Sequence, residues 1–116
     1  MPLQRAIPRP TQAQQRRQDN IRELGCLLCM SEGIGWVAAE IHHLTDCGRT
    51  ISQDHTIGLC QFHHRGVSHY SREQATRIYG PSLAHGAKPF RARFGTNDEL
   101  LQQQNTALRM AGYADH

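Results

Sequence analysis

Residues 40–69 read "EIHHLTDCGRTISQDHTIGLCQFHHRGVSH", a segment holding six of the chain's eight histidines and two of its four cysteines. Histidine packs, titrates or binds metal, and six packing histidines in one such stretch would make an unusual core. The segment therefore reads as a place of metal and proton chemistry. Its ends look like strands. "WVAAEIHHL" is β-like up to Leu44, "TIGLC" is a second short strand, and the polar "TDCGRTISQDH" with Gly48 between them suits a loop. Residues 36–44 and 56–59 are expected to pair as a hairpin.

Upstream, Cys26-x-x-Cys29 flanks a tight turn, and thirty residues later comes Cys60-x-x-His63. Two ligand pairs of this spacing can converge on one tetrahedral zinc. The expected structural Zn2+ ligands are therefore Cys26, Cys29, Cys60 and His63. Cys47, in the proposed hairpin loop, competes as a fourth ligand, but that choice leaves the Cys-x-x-His pair without a purpose; a free thiol is the preferred reading. A disulfide framework is the weaker rival, because four cysteines in a chain expected to be cytosolic favour metal.

If His63 is a zinc ligand, His64 is free for another site, since neighbours at a helix start point about 100° apart. His42 and His43 raise the same question. On a strand they face opposite ways, so they can share a site only where the strand ends and bends.

The chain's 116 residues suit one small domain. With 38% hydrophobic and 6% aromatic residues the core should be modest, a case in which metal reinforcement is common. Net charge is +3, and all but one of the thirteen basic residues are arginine, the side chain that forks onto phosphate. DNA is a reasonable partner. No apolar run approaches the roughly 18 residues of a membrane span, and "MPLQRAIPRPTQAQQRRQDN" lacks the apolar segment of a secretory signal. No membrane partner is expected, a cytoplasmic location is, and a monomer is favoured.

Three of the five prolines fall in residues 1–10, so residues 1–19 read as a flexible basic arm and 20–116 as the folded domain. A solvent-exposed helix is expected from Thr11 to Leu24, stopping at Gly25. Ser71 with Gln74, and Thr96 with Glu99, are capping-box pairs that open two further helices. "GPSLAHGAKPF" between them reads as a loop, and 63–68 is undecided. The fold class is a small α+β domain.

"EIHHL", "HTIGLC" and "CQFHH" in this order resemble the HNH motif of ββα-metal nucleases in its zinc-binding treble-clef form: a short β-hairpin plus helix, here with flanking N- and C-terminal helices. With the tail "YGPSLAHGAKPFRARFGTNDELL", the chain over about 20–110 resembles the recombination-enhancement, RecA-dependent nucleases of temperate phages. The resemblance implies a metal-dependent DNA endonuclease in which His42 and His64 bind the catalytic ion and His43 is the general base. His55 takes the middle position, where Asn is commoner. It also implies a phage or prophage protein acting in the bacterial cytoplasm, on DNA coated by a RecA-type filament. His63 departs from the family where many members have Cys.

On this reading His69 is a candidate third ligand, and His55 a buttress of the loop or of His43. Arg49, Arg65, Arg16 and Arg17 are candidate phosphate contacts. The catalytic ion would be Mg2+ or Mn2+, with Zn2+ able to occupy the site in crystals, since imidazole suits transition ions. The rival is a non-catalytic zinc module that binds DNA or protein; it accounts for the four zinc ligands but not for the spacing of His42, His43, His55 and His64.

Overall fold

Side-chain alternation along two paired strands decides where everything else packs. The computed structural model describes residues 7–113. Strand β1 (Glu40–His43) leads into a small ladder, β2 (Thr45–Asp46) with β3 (Arg49–Thr50), and the chain returns as β4 (Thr56–Leu59). Strands β1 and β4 pair antiparallel, with Glu40 opposite Leu59 and His43 opposite Thr56, so the expected hairpin forms. The loop expected between them carries the β2–β3 ladder because Cys47 and Gly48 both adopt positive φ, 51° and 80°. That is the backbone of a tight two-residue hairpin turn.

Among the described residues, six α-helices surround the strands: α1 (Gln12–Leu24), α2 (Leu27–Ser31), α3 (Gln61–Arg65), α4 (Arg72–Tyr79), α5 (Ala87–Phe94) and α6 (Asn97–Met110). Capping boxes Thr11/Gln14, Ser71/Gln74 and Thr96/Glu99 open α1, α4 and α6. Together with a buried Cys3His cluster, this is the small α+β architecture the sequence implied. No helix among the described residues is long and apolar enough to cross a membrane.

Helix α1 lies across one face of the hairpin. A Cβ on Gly58 would stand 2.6 Å from Ile21 Cγ2, so glycine there sets how closely α1 can approach. Arg17 is buried in the same contact. Its Nε donates to Thr56 Oγ1 at 3.0 Å, Nη2 to the Thr56 carbonyl at 2.8 Å, and Nη1 to Asn105 Oδ1 at 2.7 Å. From α6, fully buried Gln104 accepts the Gly58 N–H through Oε1 at 2.8 Å. The opposite face carries Ile57 and Leu59, which join Leu44, Phe62, Phe90 and Leu100 in the apolar core.

Three expectations change. The arm read over 1–19 does not hold as a unit: residues 1–6 lie outside the described residues, whereas α1 is built into the fold from Gln12. Nor is α1 a solvent-exposed helix, because Arg17, Gln18 and Ile21 are buried. The segment read as a loop at 80–90 contains a 3-10 turn (Leu83–His85) and the start of α5. Pro89 does not prevent that helix, since its missing N–H falls in the first turn, where no intrahelical partner exists.

Losing the Arg17 guanidinium leaves the Thr56 carbonyl and hydroxyl short of donors inside the fold. Arg17→Ala should cost about 2–3 kcal/mol in urea unfolding, while exposed Arg16→Ala should stay within about 0.5 kcal/mol.

Candidate metal centre and active site

Two short helices begin on cysteine. Cys26 caps α2 and Cys60 caps α3, each sulfur accepting the backbone N–H three residues on, at 3.5 Å from Cys29 and 3.4 Å from His63. Each cap turns its own Cys-x-x pair toward the same buried point. Cys29 Sγ lies 3.8 Å from Cys60 Sγ, and His63 Nδ1 lies 3.5, 3.7 and 3.2 Å from the sulfurs of Cys26, Cys29 and Cys60. A tetrahedral zinc with bonds of about 2.3 Å to sulfur and 2.0–2.1 Å to nitrogen would set edges of roughly 3.8 and 3.5 Å. The donor set therefore fits, and this Cys3His cluster could hold a metal such as zinc.

The next layer favours the same reading. His63 Nε2 lies 2.7 Å from the Tyr79 carbonyl, which can only accept. Nε2 therefore carries the hydrogen, and Nδ1 turns its lone pair toward the sulfurs, the arrangement that orients histidine ligands generally. The ring edges of Phe62 and Phe94 close the surroundings. Cys47 sits exposed in the β2–β3 turn, apart from the cluster, as a free thiol.

A second pair of imidazoles meets nearby. His42, on the face of β1 that looks toward α3, and His64, on α3, stand with ring centroids 5.1 Å apart and planes at 67°. Glu40 shares that face of β1, two residues before His42. Its Oε1 lies 2.9 Å from His64 Nδ1 and can only accept, so Nδ1 donates and the ring nitrogen left to serve as a ligand is Nε2. Arg65 grips the same carboxylate and, more than any other neighbour, holds Glu40 ionised below the usual range. Burial, then the nearby His64 and His43, push His42 down to about 4, so it stays neutral at ordinary pH. Neutral imidazole is the form that binds a metal. Beside His42 a cavity of about 120 Å³ opens, lined by Ile57, Leu83, Phe90 and Arg91 among others.

His43 points the other way. Opposite Thr56 in register, it faces the α1 side, and its Nε2 lies 2.8 Å from Gln53 Oε1. The two adjacent histidines thus follow strand alternation, with His43 at the strand's last position. His55 does not bond His43: its Nδ1 pairs with Ser52 Oγ at 2.6 Å, and its carbonyl accepts the Leu44 N–H at 2.8 Å. His55 thus braces the loop, one of the two roles expected of it, and Gln53 takes the place beside His43. His69 is exposed, and no hydrogen bond or ring contact among the described residues joins it to His42 or His64.

The arginines divide. Arg17 is buried and bonded internally, and Arg65 is committed to Glu40; neither offers a free guanidinium to phosphate. Arg16 and Arg49 are exposed.

A family model described as recombination enhancement, RecA-dependent nuclease matches residues 10–109. The chain belongs to that family. No curated protein matches it. Membership makes the chain a recombination-associated nuclease, an enzyme acting on DNA with a link to RecA. The matched span begins before α1 and ends within α6, so it takes in the cluster, both histidine-bearing faces of β1 and the helices that brace them.

Two residues of this nuclease are not singled out by the sequence. Glu40 has a legible signal, its i, i+2 spacing from His42. Gln53 has none, because it reaches His43 from a turn whose path the sequence does not dictate.

Zinc binding of this kind contributes on the order of 10–16 kcal/mol, as much as a small domain's whole stability. Cys29→Ser should therefore lose both the metal and cooperative unfolding. Cys47→Ser should keep parental metal content by elemental analysis and a parental melting curve.

Proposed function

We propose that this nuclease is a metal-dependent DNA endonuclease of the HNH type, with His42 and His64 holding a catalytic divalent ion and His43 serving as general base. The observation that carries the reading is the 5.1 Å approach of His42 and His64, with Glu40 holding His64 by Nδ1. A carboxylate behind a histidine ligand is the arrangement that fixes its tautomer and raises its basicity. The Cys3His cluster holds structural zinc in this scheme and takes no part in the reaction. A divalent ion at the histidine pair, magnesium or manganese in turnover, would stabilise charge on the scissile phosphate and the leaving 3′ oxygen.

The residues supply the rest. An imidazole can accept the proton of an attacking water at physiological pH. That step is assigned to His43, whose side chain leaves the last position of β1 on the side away from His42 and would have to reach the phosphate around the strand's end. Glu40 keeps His64 oriented, and Arg65 keeps Glu40 ionised, so one salt bridge maintains a ligand without contacting DNA. Exposed Arg49 and Arg16 remain as phosphate contacts. The family description supports a DNA substrate and a link to RecA; DNA coated by a RecA-type filament, met in a phage or prophage setting in the bacterial cytoplasm, completes the proposal.

His43→Ala should leave zinc content and the melting curve unchanged while lowering DNA cleavage by about 10²–10⁴-fold. Cleavage at the parental rate would remove His43 as the base. Chelation should act in two stages, loss of cleavage before loss of fold; a single concerted step would mean that no separate catalytic ion exists. Glu40→Gln should weaken the activating ion by about 10–100-fold, read as a rise in the Mn2+ concentration needed for half-maximal cleavage.

A further inference from the structure

The side-chain amide of Gln53 has partners at both ends, and they admit one arrangement of donors and acceptors. Its Nε2 lies 3.0 Å from the Pro8 carbonyl, its Oε1 lies 2.8 Å from His43 Nε2, and Gln18 Nε2 lies 3.1 Å from that same Oε1. The two ends of a glutamine amide are interchangeable until a partner decides between them. Here the Pro8 carbonyl decides. A carbonyl oxygen only accepts, so the end facing it is the NH₂ group, and the end facing His43 is the oxygen. Reversing the amide would put two acceptor oxygens together at Pro8 and two NH₂ groups together at Gln18.

Because Gln53 Oε1 also only accepts, His43 Nε2 must carry a hydrogen. In the neutral ring the lone pair then belongs to Nδ1. We propose that Gln53 is a positioning residue that locks His43 in the Nε2–H tautomer, presenting Nδ1 as the proton acceptor, and that α1 and the chain at Pro8 hold Gln53 in place. The inference rests on the reading of His43 as general base, but the tautomer itself does not. It also gives α1 a part in the reaction: Gln18, buried on that helix, braces the residue that orients the base. A proton acceptor must be aimed as well as neutral, and an imidazole free to exchange tautomers would offer the wrong nitrogen part of the time.

The test is ¹⁵N NMR of the His43 ring in the full-length, zinc-loaded protein, at a pH where the ring is neutral, alongside single-turnover DNA cleavage. Parental His43 should show the Nε2–H form alone. Gln53→Met, close in size but lacking the acceptor, should give a mixture of tautomers and a tenfold or greater fall in the maximal single-turnover rate, with the protein concentration for half-maximal rate unchanged. Finding Nδ1–H in the parent, or the parental tautomer in Gln53→Met, would overturn the lock. A mixed tautomer with parental cleavage would instead remove His43 as base, and with it the role of Gln53 in the reaction.

Discussion

The convergence of Cys26, Cys29, Cys60 and His63 on one buried point is the constraint on which the rest depends. Each pair is local, but bringing them together closes a loop of more than thirty residues, and within that loop the chain must run out and back. The β1–β4 hairpin is that excursion. Its return strand ends at Leu59, immediately before the cysteine that opens α3, so strand register and helix start are fixed by the same residue. His64 follows directly from this. Once His63 is turned inward by the cluster, the next side chain on the short helix leaves in another direction and meets His42 across the hairpin. A core this small leans on such a tether, because few apolar side chains are available to order the chain by burial alone.

Much of this is legible in the sequence, and for physical reasons. Ligand spacing is a local property that survives folding, which is why the Cys-x-x-Cys and Cys-x-x-His pairs can be joined from their spacing alone. The capping boxes at Ser71 and Thr96 are likewise local hydrogen-bond patterns, and both open helices where expected. What the sequence hides is the burial of polar groups. Arg17, Gln18 and Gln104 are inside the protein. A search for apolar periodicity scores each as surface, because their burial is compensated by partners on other elements, Thr56, Gln53 and Gly58. Helix α5 is hidden for a different reason. Gly86 and Pro89 look like breakers, yet one precedes the helix and the other sits in its first turn.

The candidate site shows the same division between local and distant information. His42, His43 and His64 stand out by their order along the chain, and two of the three meet. His42 and His43 leave β1 on opposite faces, because pairing continues through His43 and Thr56 and alternation continues with it. Residues that orient the histidines come from both kinds of source, Glu40 from the strand's own period of two and Gln53 from a turn brought close by folding.

Alternation has a mechanical consequence. One strand carries a metal-ligand candidate on one face and a base candidate on the other, and each face has its own support. His42 and His64 are tied through Glu40 and Arg65 to the helix that starts at the zinc cluster, whereas His43 is tied through Gln53 to α1. The two supports share only the backbone of β1 and its partner β4. A change to α1 can therefore re-aim His43 without moving His42 and His64, and a change at Glu40 can loosen that pair without turning His43. Function built on a regular strand inherits the strand's rigidity; on the proposed reading it also inherits the separation of the two faces, with the candidate proton acceptor and the candidate ion ligands held by different parts of the fold.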